Sequence, residues 1–472
     1  MVFHLAKNEL LKSMNSKKQL YLFSIIFVLF ILFTVLANLN LLEKTSSYNE
    51  VYDSRENNIA NFSHANRTRG YLSALIKKPR LINSYFTGFS IQALTTDIFN
   101  KSEKQIFKSI DFSFLFAIVF SLLALILSHD TITSEKQNGA LKHVTSYNVS
   151  RPKYLLGIFL GGFLYLFVFF SISYFFSIFI SVVFFQALIN EQDFYVFLLI
   201  YGISVIYLGI VFLMGMSIST FCKTNKSSII ISCFAWIFLV IIIPNTAPQI
   251  AERAIKLPPA AKLYSEAYKI KETDRDRLIN EQLTRLRKKM QIPDFNAENF
   301  INERKNFLLN KNNQARYYEF RKQAEDLVYK INNKQKAKVI KLEDAFMNKL
   351  KKQENLTASI SSLSLYFNFL NSLYELSNVG LKTGYYEIEK HDRHAKKIGV
   401  YMKEKEFSAL GENLLYDHNM PIDLSDYPRL KNYESSISFR LEAIKLNLFI
   451  MFVYIVVFSL ICFIKFKNYD VR

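Results

Sequence analysis

The sequence predicts an all-α polytopic membrane protein with six transmembrane helices and a mainly helical extracytoplasmic domain between spans 5 and 6. Three observations predict this fold: six long uncharged runs, basic residues in alternate short loops, and helical spacing of apolar residues in the large polar segments. A bilayer core about 30 Å thick requires roughly 20 apolar residues as a helix. The uncharged runs cover 20–42, 112–128, 154–190, 194–222, 227–251 and 446–464.

Lysine and arginine mark the cytosolic side, because positive side chains next to a span resist translocation. The N-terminus, the loop 129–153, the short loop 223–226 and the C-terminus all contain basic residues. The loop around Glu191 and Asp193 contains acidic residues and no basic ones. The pattern therefore predicts six crossings with both termini in the cytosol.

Span boundaries follow from the uncharged runs. The first run exceeds the roughly 7 to 15 residues of a signal-peptide core, so we expect it to remain as an anchor. The third run is too long for one perpendicular helix, and it requires a tilt, a bend near Gly161-Gly162 or a short outer-leaflet helix around 182–188. The predicted segments are an N-terminal cytosolic segment (1–18), TM1 (19–42), an extracytoplasmic loop of undetermined fold (43–110), TM2 (111–128), a cytosolic loop (129–153), TM3 with the possible extra helix (154–190), TM4 (194–222), TM5 (227–244), the extracytoplasmic helical domain (245–445), TM6 (446–465) and a cytosolic tail (466–472).

The domain at 245–445 contains apolar residues at helical spacing. Phe320, Ala324, Leu327 and Ile331 form one such series, with charged residues between them. This spacing predicts amphipathic helices paired as an antiparallel hairpin or packed as a small bundle. The lysines of the same region favour a solvated surface over a site for an anionic ligand; they include Lys334, Lys336, Lys338 and Lys341.

Composition limits the classes of function. The chain has 59 lysine and arginine residues against 40 aspartate and glutamate residues, but most basic residues fall in the segment predicted to lie outside the cytosol, so we expect no nucleic-acid partner. The three cysteines, Cys222, Cys233 and Cys462, lie in or beside spans. No disulfide framework is expected in the exported parts.

The sequence contains none of the motifs that carry catalysis. It has no G-x-x-x-x-G-K-S/T phosphate loop, no G-x-S-x-G turn, no H-E-x-x-H helix and no paired-cysteine zinc pattern. We therefore expect a chain that is not an enzyme and contains no cofactor, with the energy supplied by another subunit. His391, His394 and His418 are a weak candidate metal site, because i and i+3 histidines share a helix face. We expect no metal there, since a converging third ligand is not evident.

The polar loop after the second span is the best candidate for docking a soluble partner. Hydroxyl and carboxylate groups in Thr133-Ser134-Glu135 predict the capped start of a short helix. Gly139 can end that helix or permit close backbone approach. The alternative role of Glu135, Lys136 and Arg151 is to anchor the spans at the membrane interface.

The stretch from Asp130 to Gly157, DTITSEKQNGALKHVTSYNVSRPKYLLG, resembles the cytosolic loop of ABC-2 type permeases, the membrane subunits of ATP-driven transporters. That family has an acidic residue, then E-K/R-x-x-G-T-L-K, then P-V-S-R and a glycine in the next span. Ala140 and Asn148 replace the usual threonine and proline. The matching positions are Asp130, Glu135, Lys136, Gly139, Leu141, Lys142, Val149, Ser150, Arg151 and Gly157.

Other segments are similar to a subgroup of permeases with a large exported insert before the last span, related to gliding-motility and copper-maturation permeases. These segments are Lys78-Pro79, 85–88, 360–367 followed by Gly380, 422–428 and 469–472. The N-terminal segment around Ala6 to Leu11 resembles the short interfacial helix that precedes the first span in the family, which makes 1–18 an interfacial helix.

The resemblance implies a permease subunit in a bacterial inner membrane. Its partners would be a cytosolic ABC ATPase holding ATP and Mg, a second permease copy or paralogue, and the lipid bilayer, with an extracytoplasmic protein as an optional further partner. The implied mechanism is export by alternating access of an unassigned substrate; the alternatives are mechanotransmission to an external partner and a membrane-anchored sensor or scaffold. The implied ATPase-coupling residues in the 129–153 loop are Asp130, Glu135, Lys136, Gly139, Leu141, Lys142, Ser150 and Arg151.

Overall fold

The computed structural model describes residues 2–61, 78–88, 111–141, 150–295, 300–412, 424, 426–429 and 434–467. All regular secondary structure within these ranges is helical, and six of the helices are long and apolar enough to cross a membrane. The predicted fold class is confirmed.

Six spans and three short helices beside them form most of the described membrane bundle. A π-helical turn interrupts span 2 at Leu115–Phe120 and span 5 at Phe238–Ile242. Span 3 runs through Gly161-Gly162 as one helix, and turn and irregular structure, not another helix, follow it at 184–190. The elements are α1 (Val2–Met14), α2 (Lys17–Asn61, span 1), α3 (Leu81–Tyr85), α4 (112–128, span 2), α5 (Thr133–Gln137), α6 (Arg151–Val183, span 3), α7 (Glu191–Phe221, span 4), α8 (Asn225–Ala254, span 5) and α14 (Ile437–Lys467, span 6).

Spans 2 and 4 occupy the centre of the bundle. In their most apolar parts 67% and 61% of residues are buried, against 28%, 22% and 17% in spans 1, 5 and 6. Phenylalanines fill the space between spans 1, 2 and 3: Phe30, Phe116, Phe120 and Phe170 make edge and stacked contacts with one another. The outer faces of spans 1, 5 and 6 are left for lipid or another chain.

The segment between spans 1 and 2 contacts the bundle at α3. Tyr85 is 1% exposed, stacks on Phe112 of span 2 and donates a hydrogen bond to the Ser177 carbonyl of span 3 at 3.0 Å. Its hydroxyl also lies 2.7 Å from Ser181 Oγ. The resembling motif at 85–88 therefore lies in the core of the bundle.

The segment 245–445 was predicted to lie wholly outside the membrane, and its middle instead enters the bundle. Helix α11 (Lys311–Ser361) descends beside span 5, and α12 (Leu365–Leu376) rises between spans 4 and 6. At the tip of this hairpin Ser364 Oγ donates to the Leu239 carbonyl at the middle of span 5. Phe369 of α12 stacks on Tyr207 of span 4 at 4.1 Å. Apolar burial on several sides explains why a segment outside the six spans inserts.

A mostly buried charge cluster ties the ends of these elements together. Arg80 Nη1 lies 3.3 Å from Asp193 Oδ1 of span 4 and 2.7 Å from Glu434 Oε2. Arg440 of span 6, 2% exposed, donates to the Leu376 carbonyl at 3.0 Å. Paired charges of this kind hold the joined helix ends in place, because separating the partners leaves a buried charge without compensation.

The remaining helices form the polar domain beyond the bundle. Helix α9 covers 260–289 with a π-helical turn at Lys269–Asp274, and α10 (Phe300–Phe307) and α13 (Leu381–Glu412) complete it. Phe320 and Ile331 of α11 are buried and Ala324 packs against the cluster that contains Phe320, which confirms the predicted amphipathic face. Helix α9 packs on this part of α11.

Candidate coupling site

The candidate site is the coupling segment, residues 129–141, which connects span 2 to the chain before span 3. It contains the predicted short helix, α5, but the predicted cap is wrong. The N-cap residue of α5 is Ile132, and no side chain of Thr133-Ser134-Glu135 caps the helix. Instead Ser219 Oγ of span 4 accepts hydrogen bonds from the N–H groups of Ile132 and Thr133 at 3.1 and 3.0 Å. Two free N–H groups at the start of α5 therefore find their hydrogen-bond acceptor in another helix, span 4.

Lys136 binds the end of span 4. Its ammonium donates to the carbonyls of Ser219, Thr220 and Cys222 at 3.3, 2.6 and 3.1 Å. These carbonyls lie in the last turn of the helix or just after it, where intrahelical partners are missing and the helix dipole is negative. The positive charge of a lysine is therefore favourable at this helix end. The Lys136 ammonium binds the same chain and is directed at span 4.

Span 5 is also joined to the coupling segment. Ser228 Oγ donates to the His129 carbonyl at 2.5 Å, and the Asn225 N–H donates to Gln137 Oε1 at 3.5 Å. Span 4 approaches closely at Gly215, where an added Cβ would lie 2.0 Å from Ser128 Oγ. The coupling segment is thus held against the adjoining ends of spans 4 and 5.

Arg151 begins span 3 and binds the end of span 6. Its Nη1 donates to the carbonyls of Phe466, at 3.2 Å, and Lys467. Tyr154 stacks on Phe466 at 5.7 Å, and Leu141 belongs to the same buried cluster. Two predicted coupling residues, Lys136 and Arg151, therefore cap two different spans.

Helix α1 packs along the same end of span 3. An added Cβ at Gly157 would lie 2.9 Å from Leu5 Cβ, and one at Gly161 would lie 2.6 Å from the Ala6 carbonyl oxygen. Glu135 interacts electrostatically with Glu9 and Lys12 of α1, and its Oε2 is buried without a hydrogen-bond partner. The coupling segment consequently contacts the helix that precedes span 1 as well.

The other predicted site residues have different positions. Asp130 is half-buried, Gly139 adopts a φ of +72° just after α5, and Ser150 is the exposed N-cap of α6 without a side-chain cap bond. Lys142 lies outside the described residues, as does Val149. Exposed side chains in the coupling segment are Gln137, Asn138 and Ala140. They provide the surface that is accessible to another protein.

Sequence reasoning missed Ser219, Ser228 and Glu9. Ser219 and Ser228 are polar residues at the ends of apolar runs, and Glu9 lies in the helix that precedes the first apolar run. This position next to an apolar run was the only indication that the sequence offered of a role at the site. Only the approach of the helices shows which backbone groups these side chains meet.

Two of the candidate metal-binding histidines, His391 and His394, lie one turn apart in α13. His391 lies 3.7 Å from Asp392, its neighbour in the chain, and His394 is buried, whereas His418 lies outside the described residues. Within the described ranges no group of three His, Cys, Asp or Glu side chains is placed to hold a metal ion.

Comparison with known proteins agrees with the architecture of the bundle and its loop. A family profile described as ABC-2 family transporter protein matches residues 3–471. A search of curated proteins found no match. A profile match across nearly the whole length, on a chain with six candidate spans, establishes that the protein belongs to the ABC-2 family of transporter proteins.

Proposed function

We propose that this chain is the permease subunit of an ABC exporter and that the coupling segment receives movement from a separate ATPase. The observation that carries the proposal is the set of hydrogen bonds from one loop to several spans. The coupling segment binds the ends of spans 4 and 5 and continues directly from span 2. Arg151, at the start of span 3, binds the end of span 6.

These bonds join the ends of spans 2, 4 and 5 in one group and those of spans 3 and 6 in another, and the apolar cluster of Leu141, Tyr154 and Phe466 packs the two groups together. A force applied at Gln137, Asn138 or Ala140 reaches span 4 through Lys136 and Ser219 without passing through a flexible linker. The ATPase subunit holds ATP and Mg and performs the hydrolysis, since this chain lacks the motifs for it. A second copy or paralogue completes the transporter, and the exposed faces of spans 1, 5 and 6 are available to it.

Mechanotransmission is the second candidate function. Helix α11 has 51 residues, which at 1.5 Å per residue is about 76 Å, and its lower end is inserted beside span 5. A rigid rod with one end in the bundle can transmit movement of the spans to a distant partner. A spin-label distance between positions 138 and 337 that changes when the ATPase binds ATP would favour this function over export.

The test of coupling is a substitution that removes the helix-end bonds and keeps the apolar length of the side chain. We expect Lys136→Met to reduce permease-dependent stimulation of the ATPase by about tenfold, because span 4 is no longer tied to the coupling segment. The ATPase subunit is identified by mass spectrometry of the tagged complex from native membranes, then co-expressed and reconstituted in nanodiscs.

Two variants control this experiment. Lys226→Met removes an exposed lysine at the same end of the bundle and should leave stimulation unchanged. Lys136→Arg keeps a donor that can reach the carbonyls and should restore most of the stimulation. Full stimulation in Lys136→Met, with normal complex recovery, would contradict the coupling role.

A further inference from the structure

Helix α11 has an uncompensated row of positive charge on its outer part. The helix contains 12 lysine or arginine residues and six aspartate or glutamate residues. Between 330 and 341 there are five lysines and no acidic residue. Four of them, Lys330, Lys334, Lys338 and Lys341, follow at intervals of four, four and three residues, and we name them the basic ridge. Residues at these intervals lie on one face of a helix.

All four lysines of the basic ridge are exposed, whereas Ile331 and Gln335 of the same turns are buried against the protein. Some basic residues elsewhere in this domain are paired: Arg275 with Glu272 and Asp276, and Arg321 with Glu325. Within the described part of the chain, none of the ridge lysines forms an ion pair. The row is therefore available to an external anion.

The lipid headgroups of the surrounding bilayer are too distant to be that anion. The tip of the α11–α12 hairpin lies at mid-span, and Gln353 Nε2 binds the Ile255 carbonyl just beyond the end of span 5. From Ser361, Lys341 is about 30 Å and Lys330 about 46 Å along the helix. Half a bilayer measures about 20 to 22 Å. Most of the ridge thus lies more than a Debye length of about 8 Å beyond the headgroups.

The chemistry of the ridge favours a linear polymer over a folded protein. Protein interfaces concentrate aromatic residues and arginine at their centres and are depleted in lysine. The ridge face contains neither an aromatic residue nor an arginine between 330 and 341. Its charges are spaced by about 6, 6 and 4.5 Å along a straight axis, which suits a flexible chain with repeated anionic groups.

The sequence by itself favours a solvated surface for these lysines. Because the structure places four of them in one exposed row, we propose instead that the basic ridge of α11 is a binding surface for a linear polyanion, a polymer with repeating phosphate or carboxylate groups. This surface goes beyond the coupling function proposed above, and its place outside the cell rests on the proposed orientation. Binding itself requires neither the ATPase nor transport. A failure of the polyanion proposal is therefore distinguishable from a failure of the coupling function.

The test uses the full-length chain in nanodiscs of zwitterionic lipid, without the ATPase. Linear polyphosphate and poly-L-glutamate, each with a fluorescent end label, are titrated by anisotropy, and the pair distinguishes phosphate from carboxylate. Substitution of all four ridge lysines by glutamine should weaken binding at least about tenfold. The slope of log Kd against log salt, between about 50 and 200 mM, should fall by roughly three, as expected when four contacts are lost.

A matched control removes the same number of charges from the same domain. Lys288, Lys289, Lys305 and Lys311 are exposed but do not form one row, and their replacement by glutamine should change the affinity less than about twofold. Replacement of all four ridge lysines by arginine should retain binding. If the fourfold glutamine variant is less stable than the wild-type chain, the double variant Lys334→Gln with Lys338→Gln takes its place and should give an intermediate loss of affinity. Equal losses in ridge and control variants, undiminished binding by the ridge variant, or no binding of either polymer by the wild-type chain would overturn the proposal.

Discussion

At the scale of single residues, the polar side chains at the coupling segment cap the ends of helices. Lys136 and Arg151 neutralise the carbonyl ends of spans 4 and 6, and Ser219 accepts the first amides of α5. Each contact joins a loop residue to a helix that is distant in sequence. The matching family motif is therefore also a set of internal bonds, and within 129–141 the side chains exposed to another protein are those of Gln137, Asn138 and Ala140.

Glu135 is the residue of this group with the least favourable surroundings. Its Oε2 is buried without a hydrogen-bond partner, and Glu9 interacts with it electrostatically. We expect Glu135→Gln to stabilise the protein by about 1 kcal/mol, because an unpaired buried charge is removed while side-chain volume is kept. Thermal unfolding in detergent, followed by the fluorescence of Trp236, measures the change. A lower melting temperature would show that attraction to Lys12 outweighs these costs.

At the scale of elements, close backbone approach decides how α1 lies on span 3. Gly157 and Gly161 leave room for α1, and a Cβ at Gly161 would lie within 3 Å of atoms of Ala6 and Glu9. Helix α1 therefore packs on the span, in addition to preceding span 1 as an amphipathic helix. Small residues serve this purpose between membrane helices in general.

We expect Gly161→Ala to destabilise the protein by about 1 to 3 kcal/mol, because the overlap forces α1 away from span 3. The control is Gly202→Ala, where an added Cβ meets no atom within 4 Å. Thermal unfolding and protease cleavage of α1 measure the effect. Equal behaviour of the two variants would show that the contact between α1 and span 3 contributes little to stability.

At the scale of the whole molecule, the structure forms one bundle from which a long helical domain extends at the end opposite the coupling segment. The hairpin of α11 and α12 links the two parts, because its tip lies among spans 4, 5 and 6. The distribution of basic residues predicts that the coupling segment faces the cytosol and that the domain lies outside.

We expect a single cysteine at position 337, in a chain whose three cysteines are replaced by alanine, to react with a membrane-impermeant thiol reagent in intact cells. One at position 138 should react only after lysis. Ala337 and Asn138 are both exposed, so that burial does not decide the outcome. Labelling at 138 but not at 337 in intact cells would reverse the proposed topology.

The sequence by itself determined the number of spans, the helical class and the position of the coupling segment. These follow from local properties: the length of uncharged runs, the 3.6-residue period and a motif of contiguous residues. The amphipathic face of α11 was predictable for the same reason. Whether span 3 is tilted, bent or followed by a short helix was not predictable, because tilt and helix ends depend on the neighbouring helices.

Tertiary structure alone decided the insertion of α3 and α12 into the bundle and the partners of Lys136, Arg151 and Arg440. Tyr85 and Phe369 lie in segments too short to span a membrane, so hydropathy gives no signal for them. Their burial depends on aromatic and polar partners supplied by spans 2, 3 and 4. Helix-end carbonyls are bound by whichever donor the packing brings near, and that proximity is a property of the assembled bundle, not of the local sequence.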